Sequence, residues 1–536
     1  MNETESGAEY RYNRVPYQSH AVPYTHPDHM AALGRLFGMQ PADIPKCRVL
    51  ELGCGDGGNL IPMAFGLGES EFVGFDLSDQ AIARGSMLAE QLGLRNLKMF
   101  SRDILDIGED IGKFDYIIAH GVYSWVPENI REKMLWIFRH CLAEQGIVYV
   151  SYNAYPGGHL NRIANDAMLF HTASVSSPEQ KNIQALAILQ FLASASAESG
   201  GVYSEVLKDQ MENLSRIRPV IVSNYLYHDR LAEINQPFYF SEFMAGAQKY
   251  GLRFLAEADF SEMQDFFLKP EIAETLRKLA GNSIIAKEQL LDFIKGRKFR
   301  KTLLCHEHIA LNRQLNPAVM KNFLFSGRIC CMDAEENTVK KEKDPAELIR
   351  MPGLRFRPEG EKAVLVTDEL LPRLALVHLS RIWPHRAGFD EIVTLGQEYG
   401  IETADREISA LCEVLQTAFS VNMLSIHVWK PQFVTEPSSF PKAGELARHQ
   451  IAQNQKRVSN LLHQTIELEN TYGYVLLPLM DGSRNIESIR QQSLKIIRKQ
   501  GISLKGKSPD EKSDELIYAE IDEEIANCVR YALLIA

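Results

Sequence analysis

Between Cys47 and Ser151, five short runs of β-branched and aromatic residues alternate with helical stretches, and that alternation leaves few folds open. The runs are Arg48-Val-Leu-Glu-Leu, Glu71-Phe-Val-Gly-Phe, Leu97-Lys-Met-Phe, Phe114-Asp-Tyr-Ile-Ile-Ala and Ile147-Val-Tyr-Val-Ser. Residues 79–92 and 127–142 read as helices between them. Strands joined by helical crossovers predict a parallel sheet covered on both faces. Residues 160–218 are then almost wholly helical in period, split at Gly200-Gly201. Strand-like sequence resumes at Leu252-Arg-Phe-Leu-Ala-Glu and at Phe299-Arg-Lys-Thr-Leu-Leu-Cys. These two are expected to complete the same sheet, which makes the helical block an insertion.

The first strand runs straight into Glu51-Leu-Gly53-Cys-Gly55-Asp-Gly57-Gly58. Glycines are wanted where a chain turns sharply from strand to helix while its backbone approaches a ligand. Gly53, Gly55 and Gly58 also satisfy the dinucleotide fingerprint, which alone is a weak signal. Glu51 separates the two readings. A carboxylate at the strand end sits poorly beside a pyrophosphate and well beside a ligand carrying ammonium and sulfonium charges. Asp76 closes the second strand, where an acidic residue hydrogen-bonds ribose hydroxyls. Asp103, after the third strand, is placed to receive an adenine amino group.

Composition narrows the remaining classes. A net charge of −11 over 536 residues argues against nucleic acid as the main partner. The basic clusters near Ile496 and at Lys505-Gly-Lys507 are short and read as solvated surface. No apolar run reaches membrane-spanning length, so no membrane insertion is expected. Eight cysteines lie scattered without a C-x-x-C pair, so neither a disulfide framework nor a metal site is assigned. With a polar, acidic opening stretch, the chain reads as cytoplasmic.

Further along, residues 334–344 are charged and read as a linker. Helical segments follow at 369–382, 389–399 and 405–418, then a Pro-rich loop and a last region from Ala443. There a helix-like stretch at 461–468 and the Asp481-Gly482-Ser483 turn suggest a compact helical module of winged-helix type. Residues 501–513 read as a mobile loop.

The E-x-G-x-G-x-G pattern at Glu51, Gly53, Gly55 and Gly57 resembles that of the class I S-adenosylmethionine-dependent methyltransferases. Narrower likenesses are Val15-Pro-Tyr17-Gln-Ser19, His120-Gly-Val-Tyr123-Ser-Trp125, Asn153-Ala-Tyr155-Pro, Tyr227-His228-Asp229 and Pro237-Phe-Tyr-Phe240. They resemble the bacterial group carrying a methyltransferase regulatory domain, whose best-understood members are rickettsial protein-lysine methyltransferases. The resemblance implies an α/β fold: a Rossmann-like sheet with a helical insertion, then mainly helical C-terminal domains. On this reading residues 1–310 bind S-adenosyl-L-methionine, with an insertion at 160–240. Residues 311–430 form a middle regulatory domain, and 431–536 a winged-helix-like domain assisting a protein substrate. A homodimer through the insertion is expected both from the resemblance and from apolar residues such as Ile183, Leu186 and Phe191.

The cofactor set expected on this resemblance comprises Tyr17, Ser19, Glu51, Gly53, Gly55, Asp56, Gly57, Asn59, Asp76, Leu77, Asp103, Ile104 and His120. His120, Tyr123, Trp125, Asn153 and Tyr155 follow the fourth and fifth strands and are the candidates around the transferred methyl group. His120 stays open between general base, cofactor contact and packing. Asn153-x-Tyr-Pro departs from the N-P-P-Y signature of amino-group methyltransferases, with Ala154 for the first proline and a place after the fifth strand. Tyr17 and Ser19 are expected to close over the cofactor, and His228 and Asp229 to form a structural corner. A protein-lysine methyltransferase is the leading function; a small-molecule methyltransferase and a non-catalytic cofactor-binding regulator are the alternatives.

Overall fold

A computed structural model describes residues 13, 15, 17, 19–216, 224–339, 343–361, 363–468, 472–503 and 508–535. The opening residues 1–6 and the Lys505-Gly-Lys507 cluster lie outside them, as do 217–223 of the expected insertion and 340–342 of the expected linker.

Seven strands form the central sheet: β1 Arg48–Leu52, β2 Glu71–Asp76, β3 Leu97–Ser101, β4 Phe114–Ala119, β5 Leu142–Asn153, β6 Leu252–Glu257 and β7 Phe299–His306. Their order is β3-β2-β1-β4-β5-β7-β6. The first five run parallel, with Glu51 beside Gly74 and Ile118, while β7 lies antiparallel to both β5 and β6. Val49, Leu50, Ile117, Ile118, Val148 and Val150 are fully buried, as strands covered on both faces require. All five parallel strands therefore end on one side, and the turns that follow them make the site.

The insertion comprises three helices, Gly158–Thr172, Pro178–Ala197 and Val202–Ser215. The glycine pair makes the second break; the first has a different local cause. Ser177 caps the second helix by accepting from Gln180 N, and Pro178 occupies its first position. The insertion has its own apolar core around Met168, Leu189 and Leu207, which also takes in Leu226 and Leu231.

One continuous core runs from Met30 through the sheet to Leu446, so the middle segment packs directly on the sheet domain. Asp28, in the helix Pro27–Leu36, marks the join. It accepts from Arg386 and His427 at 2.8 Å each, and from Val428 N and Trp429 N at 2.8 and 2.9 Å. Burial works against its charge, but Arg386 and His427 outweigh that and hold the carboxyl well below its ordinary range.

The C-terminal core gathers helices Glu445–Ala452, Gly473–Leu479, Ile486–Gln500 and Asp514–Arg530 around Tyr472, Leu476 and Ile521. Residues 461–468, expected as helix, instead turn and return as a hairpin pairing Arg457–Ser459 with Thr465–Glu467. The Asn460 side chain captures Leu462 N and Gln464 N, and His463 takes a left-handed φ of 56°. That local bonding competes with helix formation, and an apolar run alone cannot reveal it. Short strands elsewhere, such as Ile329–Met332 paired with Arg355–Pro358, also interrupt the helical reading of the middle segment.

Candidate active site

The chain leaves β1 through Gly53, Gly55 and Gly57 at φ of 72°, 56° and 76°, a left-handed run that only glycine adopts without strain. Gly58 is required for a different reason. A Cβ there would lie 2.2 Å from the Ser19 carbonyl, because the N-terminal arm crosses directly over the turn. Ser19 Oγ donates to Asp56 and accepts from Gly58 N at 2.8 Å, pinning that arm in place.

Asp76, at the end of β2, accepts from Gly55 N at 2.8 Å and from Ser78 N at 2.9 Å. It thus shapes the glycine turn from the end of β2. Leu77, half-buried, carries the chain on to the Ser78 cap of the next helix. Asp103 accepts from Leu105 N at 2.9 Å and opens the short turn containing half-buried Ile104.

Glu51 is 3% exposed, and its two oxygens differ. Oε1 accepts from Asn59 Nδ2 at 2.8 Å, while Oε2 is buried without a hydrogen-bond partner among the described residues. Burial pushes its carboxyl up to about 8; the Asn59 bond opposes this and the nearby Asp76 adds to it. A buried, unpaired carboxylate oxygen beside a glycine turn fits the cationic amino-acid end of S-adenosylmethionine. With its carboxyl raised to about 8, Glu51 is expected to be largely protonated at pH 7 and to give up that proton when a cation is placed beside it. Calorimetry at pH 7 in buffers of different ionisation enthalpy is expected to register release of about one proton on cofactor binding. A Glu51→Gln variant releasing as many protons would count against this role.

Asn59 joins three parts of the chain. Its Oδ1 accepts from Val22 N and from His463 Nε2, each at 2.9 Å, while its amide holds Glu51. His463 sits at the tip of the C-terminal hairpin, and Thr465 beside it donates to the Ala21 carbonyl. The C-terminal module therefore reaches the glycine turn directly. Sequence reasoning missed this contact, since nothing local to His463 announces a partner 404 residues away.

Beyond the turn, a cavity of about 910 Å³ lies between the ends of β4 and β5 and the helical insertion. Its inner wall adjoins the glycine turn: a Cβ on Gly53 would meet Val122, next to the lining residues His120 and Gly121. Of the residues expected around the methyl group, His120, Trp125 and Asn153 line the cavity; of the expected cofactor set only Tyr17 and His120 do, the rest lying at the glycine turn and the ends of β2 and β3. Tyr123 and Tyr155 do not line it. Tyr123 is packed 5.4 Å from Phe238 and 5.3 Å from Phe243 in an aromatic cluster with Tyr152. Tyr155 stacks on His159, with ring centroids 4.0 Å apart.

His120 Nδ1 lies 3.0 Å from the Tyr149 hydroxyl and 3.3 Å from Ser151 Oγ, both able to donate to it. Burial lowers its pKa to about 4, with His20 and Lys301 adding to the effect, so the ring is neutral near pH 7. Such a histidine suits hydrogen-bond donation better than proton abstraction. Trp125 Nε1 is buried without a partner among the described residues. Asn153 donates to Asn235 at 2.7 Å, which ties the end of β5 to the segment after the insertion. The polar wall contributed by Asn161, Asn165, Gln210 and Asn235 had no signal in the sequence, because it forms only when helices from different segments meet.

A seven-stranded sheet with a reversed β7, a glycine turn after β1 and an acidic residue closing β2 define a class I methyltransferase. Residues 44–208 match the family described as a methyltransferase domain and 222–306 that described as "Predicted methyltransferase regulatory domain". Residues 440–533 match "PKMT, C-terminal winged helix domain". An uncharacterised protein of Rickettsia prowazekii is 39% identical over 312 residues, 58% of this chain. That match spans about half of the relative's length, 55%. A second protein of that organism is 32% identical over 244 residues, 46% of this chain and 96% of its own length. PKMT2 from Rickettsia typhi in complex with AdoHcy superposes with a TM-score of 0.83 at 27% identity, over 97% of this chain and 100% of that one. The chain belongs to the S-adenosylmethionine-dependent methyltransferases that carry a methyltransferase regulatory domain. Among the described residues, no helix is long and apolar enough to cross a membrane.

Proposed function

We propose that this protein transfers methyl groups from S-adenosylmethionine to lysine side chains of a protein substrate. The observation that carries the reading is the cavity beside the glycine turn, walled by sheet ends, insertion helices and amide side chains. Similarity along almost the whole chain to PKMT2 of Rickettsia typhi supports the same acceptor class. The Glu51–Gly58 turn, Asp76 and the Asp103–Ile104 turn would hold the cofactor, which supplies an electrophilic methyl carbon when bound. His120 contributes a neutral N–H donor at the inner wall, and Trp125 and Tyr17 an aromatic surround that thins the water around an incoming amine. Holding that amine in line is the larger part of the catalytic task.

The reading extends to a cytoplasmic setting and to a homodimer through the insertion, where Phe170 and Phe191 are 88% and 62% exposed. A cavity of about 910 Å³ also falls within the range of small-molecule sites, roughly 300 to 1,000 Å³, which keeps the metabolite acceptor as the second reading. Incubation with methyl-labelled cofactor and fractionated lysate decides between them. Label recovered as methyl-lysine after protein hydrolysis, from an enzyme that light scattering sizes at twice 60.6 kDa, is the expected result. Label confined to the low-mass fraction would replace this reading with the metabolite one, and no transfer at all would favour a regulator.

A further inference from the structure

Residues Leu226–Arg230 wind as a single π-helical turn, a form whose extra residue re-aims neighbouring side chains. Three consecutive side chains leave it for three places. His228 Nε2 bonds the Val15 carbonyl at 2.7 Å, on the N-terminal arm. Arg230, buried, donates to Asn165 and Gln210 of the insertion. Asp229, between them, lines the cavity. Its backbone carbonyl accepts from Asn235, which in turn accepts from Asn153 at the end of β5. The turn is thus fixed relative to the sheet ends, while the Asp229 carboxylate has no hydrogen-bond or ion-pair partner among the described residues.

The other charges lining this cavity are paired, neutral or open to solvent. Arg162 pairs with Asp166 at 3.5 Å and Lys298 with Asp209 at 3.9 Å. Arg230 is occupied by the two amides, His120 is neutral, and Glu233 is exposed. We propose that Asp229 is the anion of the acceptor subsite: it receives the substrate's primary ammonium and removes one proton from it. The inference rests on the lysine reading above. In this step one N–H bond of the ammonium breaks and its proton bonds to a carboxylate oxygen. The N–H electron pair stays on nitrogen as the lone pair of a neutral amine, and the proton later passes to water through the cavity mouth.

Ordinary lysine, with a pKa of about 10.4, arrives protonated and cannot attack until it loses that proton. Burial raises the Asp229 carboxyl to about 7 against the opposing charge of Arg230, which makes it a far stronger proton acceptor than an ordinary aspartate. Below about pH 7 it is protonated and unable to act; above, it is ionised and competent. The kcat/KM of the wild-type protein on a peptide spanning one mapped methylation site should therefore rise through about pH 7 and level off.

In Asp229→Asn that inflection should vanish, with a loss of about tenfold at pH 8 that recovers as pH approaches 10 and free amine accumulates. Asp229→Glu, which keeps the charge, should retain the inflection at a lower kcat. Equilibrium binding gives a readout independent of turnover. The lysine peptide should bind wild type about tenfold more tightly than Asp229→Asn, while the same peptide with norleucine at that position should bind both alike. An undiminished rate or a surviving inflection in Asp229→Asn overturns the proposal, as does a lost inflection in Asp229→Glu if the asparagine variant fails to fold. Absence of lysine methylation by the wild-type protein would instead sink the reading beneath it.

Discussion

Calorimetry on an Asp76→Ala variant is expected to find S-adenosylmethionine affinity lowered by a factor of roughly 10 to 150. Two losses combine. The variant frees Gly55 N and Ser78 N, which now donate to the carboxylate and hold the glycine turn in its left-handed course. It also removes the acceptor proposed for the ribose hydroxyls. A charge-assisted hydrogen bond of this kind contributes about 1.5 to 3 kcal/mol, which sets the range. Asp103→Ala makes a useful contrast, since Asp103 caps only Leu105 N and should cost less. Unchanged affinity in the Asp76 variant would remove that residue from the cofactor site.

Replacing Arg300 with methionine should lower stability by about 3 to 5 kcal/mol in urea unfolding, more than any other single substitution considered. Arg300 is fully buried on β7 and donates to Glu257 at 2.6 Å, to Glu288 at 3.2 Å, and to both Asp292 oxygens at 2.8 and 2.9 Å. Its guanidinium also lies 3.8 Å over the Phe240 ring. Burial opposes ionisation of all three carboxyls: at Glu257, Arg300 with Arg297 more than offsets it, whereas at Glu288 and Asp292 burial prevails and raises them even with Arg300 in place. Methionine fills a similar volume but leaves three buried carboxyls sharing Arg297. That uncompensated charge, not a cavity, is the source of the loss. A change under 1 kcal/mol would mean that the carboxyls simply take up protons at little cost. The consequence would reach the site, because Thr302, bonded to Glu257, also carries the Tyr152 hydroxyl beneath the end of β5.

What could be read from the sequence was what short stretches encode. Strand and helix periods around the glycine turn, the acidic end of β2 and the return of β6 and β7 are all local patterns, and the sheet follows them. Glu51 and Asn59 were legible as neighbours of that turn, but not the bond between them, nor His463 as a donor to Asn59. Tyr123 and Trp125 show the limit within a single loop. They stand two residues apart in sequence, yet one is core and the other cavity wall, because Phe238 and Phe243 arrive from beyond the insertion to cover Tyr123. Asp229 was legible only as an acidic residue beside a histidine. Its meaning comes from the π turn that separates it from His228 and Arg230.

The contact between Asn59 and His463 also sets an order in time. Its partners are 404 residues apart, and a ribosome adding about 5 to 20 residues per second needs roughly 20 to 80 s to travel between them. During that interval the glycine turn has been synthesised, and so has the arm that crosses it, but one donor to the residue gripping Glu51 has not yet been made. A nascent chain can form its first five strands early; the contact that braces Asn59 waits for the hairpin carrying His463. The side chain that holds Glu51 is thus braced by a hairpin made long after it, so the finished geometry of the glycine turn depends on a distant part of the chain.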